Sequence, residues 1–249
     1  MVKKILIIAN KTVFPSLDGG SLAIQKLAIN LACQNYLIDL VCVAKDKHHN
    51  SISTDHKPRK NIRQRVFVKK MDLNVILFLK SIANKQSYQS LRFYDMKIQH
   101  EIQKLINTNT YKAIVFESVF TTIYLNKLKL KNIEKIIFRA HNIEHKIWED
   151  LARNSVFKRT IFLLLAKQIK RVEDAIPKYV DYIFTLSDSD QEYFNKIHPT
   201  KTIHIPVTFE VEKINTLKIT NSIAHLGAMD WKPNIEGIDW FLEKVKPQI

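Results

Sequence analysis

Runs of apolar residues alternate along this chain with stretches whose apolar residues recur at helical spacing. Residues 3–9 predict a strand, because the run Ile5-Leu-Ile-Ile-Ala9 within them is continuously apolar, which is typical of a parallel strand covered on both faces. Apolar residues at helical spacing follow over 22–32, and residues 36–43 indicate a second strand. The chain therefore opens with a strand–helix–strand unit.

The same alternation continues up to residue 205. The pattern predicts strands over 66–68, 112–116, 134–138, 181–186 and 202–205, and helices over 73–83, 93–106, 119–128, 142–153, 157–176 and 189–196. Strands that alternate with helices favour a doubly wound parallel sheet, so we expect an α/β fold of the Rossmann-like class.

A second region of the same kind begins after a connector. Residues 222–227 predict a strand, and apolar residues on one face of 234–246 predict a helix. One strand and one helix cannot bury such a face alone. We therefore expect a first domain over 1–207, a linker over 208–221, and the start of a second Rossmann-like domain over 222–249.

Composition places the chain among globular proteins. Its 249 residues, of which 46% are apolar, suffice to bury a full core. Neither Cys33 nor Cys42 has a partner at CxxC spacing, which argues against a metal or disulfide framework and favours the reducing cytosol. No apolar run approaches the roughly 20 residues that cross a bilayer.

The formal net charge of +15 is large for a chain of this size. It suits an anionic membrane, a phosphate-bearing substrate or nucleic acid, and it also arises from lysines scattered over solvated faces. Helices 73–83 and 157–171 carry apolar residues beside bases, which suits a membrane surface or the core-facing side of an ordinary helix. No nucleic-acid module signature accompanies the aromatic and basic segment 88–94, so we expect no nucleic-acid partner.

The loop before the first helix carries paired glycines, Gly19 and Gly20. Ligands of open parallel sheets sit beyond the carboxyl ends of the strands, and paired glycines let backbone N–H groups approach a phosphate there. An ordinary turn explains the pair equally well. The spacing matches neither the dinucleotide fingerprint nor the phosphate-binding P-loop, which weakens nicotinamide and ATP as ligands.

The segment Arg139-Ala-His-Asn-Ile-Glu144 follows the strand predicted over 134–138. His141 is a candidate to hydrogen-bond a sugar hydroxyl or to stabilise charge near a reacting centre. Arg139 is suited to pair with phosphate or to fix Glu144. The alternative is structural, since Asn142 suits a helix cap and Glu144 favours the positive first turn of a helix.

Two further strand ends carry polar residues. Glu117 follows the strand over 112–116 and is a candidate to accept hydrogen bonds from acceptor hydroxyls, whereas Ser187 and Asp188 are better explained as helix caps. Five histidines lack metal-ligand spacing, so we expect surface residues and no metal site; they are His48, His49, His56, His198 and His204.

Three segments together resemble bacterial GT-B glycosyltransferases, most closely the retaining class that builds surface polysaccharides and glycolipids. They are Asp18-Gly19-Gly20 after the first strand, Arg139 to Glu144 with Trp148, and Leu226-Gly-Ala-Met-Asp-Trp-Lys-Pro-Asn234 with Gly237 and Trp240-Phe241. The resemblance implies an amino-terminal acceptor domain and a carboxyl-terminal domain that binds a nucleotide-diphosphate sugar. It also implies transfer in the cleft between them, without a metal or other cofactor.

The same resemblance implies roles for individual residues. Gly19 and Gly20 would approach the donor diphosphate or the acceptor, and His141 would lie near the transferred sugar. Gly227, Trp231 and Lys232 would belong to the donor-side loop. The family's two donor-binding glutamates, separated by seven residues, have no counterpart here. We therefore expect a chain truncated within the donor domain, with little or no transferase activity of its own.

Other function classes remain open at this point. A sugar-nucleotide epimerase or a phosphorylase uses the same two-domain fold, and a non-catalytic module that binds an acceptor or docks on a membrane would need no donor domain. The leading hypothesis is a cytoplasmic sugar transferase. It would act on a glycan or lipid-linked acceptor, with peripheral contact to an anionic membrane at the inner face.

Overall fold

The computed structural model describes residues 3–45, 59–209, 222–227, 229 and 232–248, without the side chains of residues 232 and 233. The chain forms two compact units, Met1–Thr208 and Phe209–Ile249, and each is described by itself.

The first unit contains one sheet of seven parallel strands. The strands are β1 (Lys4–Ala9), β2 (Leu37–Lys45), β3 (Ile62–Lys69), β4 (Ala113–Glu117), β5 (Ile136–Ala140), β6 (Tyr182–Thr185) and β7 (Thr202–His204). Their order is β3-β2-β1-β4-β5-β6-β7, which confirms the predicted doubly wound, Rossmann-like fold. The strand order reverses between β1 and β4, and this is where open sheets of this kind bind ligands.

Helices cover the sheet. They are α1 (Gly19–Cys33), α2 (Val75–Ala83), α3 (Tyr88–Phe93), α4 (Met96–Thr108), α5 (Glu144–Arg153), α6 (Arg159–Ala175) and α7 (Asp188–Ile197), with 3₁₀ segments at Val119–Lys127 and Ile176–Lys178. Strand β1 contributes Leu6 to one buried cluster and Ile7 to the other, because successive side chains of a strand point to opposite faces. The sheet is thus buried on both faces, as the continuous apolar run over residues 5–9 predicts.

Several sequence-based element predictions differ from the structure. Strand β3 spans eight residues, whereas the sequence predicts only 66–68. Only its first residue, Ile62, is buried, and the others are half-buried or exposed at the edge of the sheet, so β3 lacks the continuous apolar run of a central strand. Helix α3 was not predicted, because six residues hold too few turns to show helical periodicity.

The second unit contains α8 (Lys232–Trp240), which continues as a π-helical turn over Phe241–Val245 and a 3₁₀ turn over Lys246–Gln248. The predicted helix is therefore present. The predicted strand is not observed, because the described residues 222–227 are not part of any sheet ladder in the structure, and a strand is defined by such pairing. Most of the predicted linker, residues 210–221, lies outside the described residues.

Candidate functional site

A buried ion pair joins the adjacent ends of β4 and β5. Glu117 and Arg139 are register partners in the sheet, with side chains 0% and 2% exposed. The Nη1 of Arg139 lies 3.2 Å from Oε1 and 3.3 Å from Oε2 of Glu117. The same nitrogen donates to the carbonyl oxygen of Ala23 at 3.2 Å, which ties the pair to α1. The guanidinium therefore holds Glu117 rather than Glu144, which corrects that interpretation of Arg139.

His141 completes this array. Its Nε2 lies 2.6 Å from Oε2 of Glu117, and its side chain is 13% exposed. Burial alone would raise the pKa of Glu117, but the Arg139 charge and the hydrogen bond from His141 outweigh burial and leave this pKa below its usual value. An ionised carboxylate can only accept, so Nε2 of His141 carries the hydrogen of this contact; in the neutral form of the ring, Nδ1 is an acceptor.

The start of α5 is held by a residue that the sequence analysis missed. Glu173 of α6 is fully buried, and its Oε1 accepts from the backbone N–H of Glu144 at 2.7 Å. Its other oxygen binds Nδ1 of His145. The residue before the helix is Ile143, and Asn142 is exposed, so the prediction that Asn142 caps this helix is wrong.

The periodicity of α6 could have indicated from the sequence that Glu173 is buried. Together with Leu165 and Ile169 it repeats every four positions along α6, and all three are buried. A carboxylate on the apolar face of an amphipathic helix is costly to bury unless it has partners. Such a position therefore indicates a polar contact, although the sequence does not indicate which residues supply it.

Glu144 is half-buried, and its pKa is shifted upwards. Burial and the negative charge of Glu173 raise its pKa to about 7, although the positive charge of Lys11 opposes the shift. The carboxyl group therefore exchanges its proton near neutral pH. A carboxyl group with a pKa near 7 can accept a hydrogen bond from a hydroxyl group or donate one to it with little energetic cost.

The paired glycines are the first two residues of α1. Asp18 caps this helix: its Oδ1 accepts from the N–H of Ser21 at 2.6 Å, and its own N–H donates to Oγ of Ser21. The Nζ of Lys11 lies 2.9 Å from Oδ2 of Asp18. A cavity of about 90 Å³ opens beside this helix start, between the carboxyl ends of β1 and β2, and Lys11 and Lys45 are among its lining residues.

A larger cleft of about 420 Å³ lies between α1 and the segment 205–208 of the first unit. Arg139 lines it together with Lys26 and Asn30. The Nε of Arg139 is buried and has no hydrogen-bond partner among the described residues. Buried donors of this kind usually have a partner, so this nitrogen is an exception among the described residues.

The remaining candidates are placed as follows. The interpretation of Ser187 as a helix cap is confirmed, since its Oγ accepts from the N–H of Asp190 at 3.2 Å. The ring of His204 is half-buried, and its Nδ1 lies 2.7 Å from Oδ1 of Asp188, whose side chain is exposed. Within the described residues no group of three His, Cys, Asp or Glu side chains is placed to hold a metal ion. Three of the predicted surface histidines lie outside the described residues: His48, His49 and His56.

The donor-side candidates fall in the second unit. Gly227 is described and exposed, and a Cβ added there would meet the side chain of Asn234 at 2.8 Å. Trp231 lies outside the described residues, as does the side chain of Lys232, whose backbone begins α8. The role of this loop stays a prediction.

Comparison with known proteins identifies the fold. The structure of sucrose-phosphate synthase from Thermosynechococcus elongatus aligns with 82% of this chain, and the alignment covers 48% of the synthase chain, at 12% sequence identity and a TM-score of 0.52. The structure of Arabidopsis thaliana UGT89C1 complexed with UDP-L-rhamnose aligns with 99% of this chain, and the alignment covers 64% of the UGT89C1 chain, at 12% sequence identity and a TM-score of 0.51. The fold is therefore that of GT-B glycosyltransferases, and the chain spans 48% and 64% of the lengths of these two proteins.

No protein-family model and no curated protein matches this chain by sequence. Within the part of the chain that the structure describes, no helix is long and apolar enough to cross a membrane.

Proposed function

We propose that this chain is the acceptor-side part of a glycosyltransferase, which moves a sugar from a nucleotide-diphosphate sugar to a glycan or lipid-linked acceptor in surface polysaccharide or glycolipid synthesis. The supporting observation is the buried array of Glu117, Arg139 and His141 at the carboxyl ends of β4 and β5. Ligands of open parallel sheets bind at this edge, and the fold neighbours are glycosyltransferases.

In this proposal His141 accepts a hydrogen bond from a hydroxyl of the transferred sugar through Nδ1. Glu117 fixes the tautomer of the ring and stabilises any positive charge that develops on it. Arg139 keeps Glu117 ionised in the interior and positions it. The array then presents a polarised imidazole at the place where charge forms during transfer.

The neighbouring elements supply substrate contacts. Gly19 and Gly20 bring backbone N–H groups of α1 towards the donor diphosphate or the acceptor. Asn142 and Glu144 meet acceptor hydroxyls. On the donor side the proposed contacts are Gly227, Trp231 and Lys232. The donor is a substrate and the proposal invokes no cofactor.

The proposal divides the chain into an acceptor-side domain over 1–207, a linker over 208–221 and the start of a donor-binding domain over 222–249. The partners are a nucleotide sugar and a glycan or lipid-linked acceptor, and nucleic acid is not among them. The proposed location is the cytoplasm, with peripheral contact at the inner face of the membrane.

The test is a transfer assay on the protein as its gene encodes it, with a panel of nucleotide-diphosphate sugars as donors and membrane extract as acceptor. We expect His141→Ala to lower the transfer rate on the order of 100-fold or more. His100→Ala is the matched control, because His100 is exposed on α4. We also expect this chain on its own to transfer little or no sugar. Epimerisation or free-sugar release without transfer contradicts the proposal, as does a His141→Ala variant of unchanged rate.

A further inference from the structure

Helix α2 is an apolar helix that lies outside the core. Its sequence, Val-Ile-Leu-Phe-Leu-Lys-Ser-Ile-Ala, is almost entirely apolar, yet Ser81 is its one buried residue. An ordinary core-facing helix buries its apolar stripe and exposes its polar face. The composition of α2 therefore needs an explanation other than packing within the described structure.

Specific contacts fix the orientation of this helix. The Nε2 of Gln168 in α6 donates to Oγ of Ser81 at 3.1 Å, and the ring of Phe78 packs edge-on against Tyr88 at 5.4 Å. The side chain of Asn74 accepts from the N–H of Leu77 at 2.9 Å and so caps the helix. These contacts place the Ser81 side of α2 against the protein.

The opposite side of α2 faces outward. At about 100° per residue, Val75, Ile76 and Leu79 lie roughly opposite Ser81. These three and their neighbours at each end are between 42% and 87% exposed; we call the set Leu73, Val75, Ile76, Leu79 and Ile82 the α2 surface. Single exposed apolar residues are normal on proteins, but a contiguous apolar stripe marks an interaction site.

Lysines surround the α2 surface. Lys70, Lys80 and Lys85 are exposed, and none of the three forms an ion pair with a described residue. Asp72 is the one acidic residue between positions 70 and 85. The rim therefore carries excess positive charge, in line with the net charge of +15 of the chain.

We propose that the α2 surface docks on an anionic lipid bilayer. Its apolar side chains would lie in the membrane–water interface, and the surrounding lysines would contact lipid headgroups. An apolar helix face flanked by lysines is the combination that interfacial helices use. A protein partner is disfavoured because lysine is depleted at protein interfaces, whereas each lysine near an anionic leaflet adds attraction. The surface would bring a lipid-linked acceptor within reach of the first unit, but the docking itself does not depend on sugar transfer.

The test is co-sedimentation of the chain with vesicles of phosphatidylcholine, with and without phosphatidylglycerol. We expect binding to the anionic vesicles alone, weakened by added salt. The variants I76S/L79S and K80E/K85E should each lower partitioning about tenfold or more. Urea unfolding of each variant checks that the fold is intact, which we expect because all four side chains are exposed.

Two controls make the assignment to α2 specific. K129E/K131E makes the same change of charge at exposed lysines on another part of the first unit, and M96S removes an apolar side chain at the start of α4 that is 73% exposed. Both should bind like the unaltered chain. Loss of binding in either control, equal binding to neutral vesicles, or unchanged binding by the α2 variants overturns the proposal. Self-association that disappears in I76S/L79S, without vesicle binding, would instead assign the surface to a second copy of the chain.

Discussion

The imidazole of His141 and the carboxylate of Glu117 lie 2.6 Å apart, although the two residues are separated by 24 positions in sequence. The sheet brings them together, because Glu117 ends β4 and His141 follows the end of the adjacent strand β5. One side of this carboxylate contacts a permanently charged guanidinium and the other an ionisable ring. The pair therefore couples a structural ion pair to a side chain at the ligand-binding edge.

Replacing Glu117 by Gln removes this charge and keeps the shape of the side chain. Arg139 is then left as a buried charge without a counter-ion, so we expect the free energy of unfolding to fall by about 3 kcal/mol. Urea denaturation measures the loss. Glu134→Gln is the matched control, because Glu134 pairs with Lys112 at the exposed surface and should cost less than about 1 kcal/mol. Equal losses in the two variants would mean that burial adds nothing to the Glu117 pair.

Acid should weaken the same pair. The pKa of Glu117 is lower in the folded chain than its usual value of 4.5. Its contribution to stability is therefore present above pH 4.5 and is lost as the pH falls below that value towards the folded pKa. Unfolding curves measured between pH 3 and pH 6 should show a shallower loss for Glu117→Gln than for the unaltered chain. Parallel curves would exclude a lowered pKa.

Glu144 should have the opposite pH dependence. Its pKa rises from 4.5 to about 7 on folding, so between these values the folded chain holds a proton that the unfolded chain releases. The free energy of unfolding therefore falls as the pH rises through this window. Glu144→Gln should be more stable than the unaltered chain at pH 8, by on the order of 2 kcal/mol. Asp150→Asn, on the exposed face of the same helix, should leave the pH profile unchanged.

The fold follows from the sequence more completely than the site does. Continuous apolar runs such as residues 5–9 predict buried parallel strands, and the alternation with helices predicts the doubly wound sheet. The strand over 222–227 fails because apolar character predicts burial but cannot supply a hydrogen-bonded neighbour. Helix α2 shows the converse, since its apolar character predicts burial and the structure leaves it exposed.

Individual site residues are predictable where they follow a strand, because the carboxyl ends of parallel strands share one edge. Glu117, Arg139 and His141 were each singled out on that ground. Their mutual contacts were not, since strand order is needed to know that β4 and β5 are neighbours. The partner of Arg139 was accordingly misassigned to Glu144, which is closer in sequence.

Glu173 provides a test of how α5 is held. Glu173→Ala leaves the N–H of Glu144 and the ring of His145 without this acceptor, so we expect a loss of about 2 kcal/mol of unfolding free energy. The pKa of Glu144 should also fall, because a negative neighbour is removed. Asp174→Ala is the matched control in the adjacent position, where an exposed pair with Lys170 should contribute less than about 0.5 kcal/mol. NMR titration of the Glu144 carboxyl group measures this pKa. An unchanged value in Glu173→Ala would contradict this arrangement.

Substitutions of Gly19 and Gly20, the first two residues of α1, test whether glycine is needed there for the fold or for substrate binding. Neither has a positive φ, so backbone conformation does not require glycine at these positions. A Cβ at Gly20 would lie 2.9 Å from Nζ of Lys11, whereas a Cβ at Gly19 would meet no atom within 4 Å. Gly19→Ala should therefore leave stability unchanged or raise it by up to about 0.5 kcal/mol. Gly20→Ala should cost less than about 1 kcal/mol, since it displaces the half-buried side chain of Lys11 from the partly exposed Asp18.

Sugar transfer should respond to the same two substitutions differently from stability. If backbone N–H groups of α1 approach a diphosphate, a methyl group at either position holds that ligand away, and both variants should lower the rate in the sugar-transfer assay. Gly19→Ala is the decisive variant, because nothing in the described structure accounts for glycine there. A Gly19→Ala protein that is as stable as the unaltered one and transfers at least tenfold more slowly would assign the glycine to substrate contact. Unaltered transfer at unaltered stability would show that the start of α1 is an ordinary capped helix, with Asp18 and Ser21 as its essential residues.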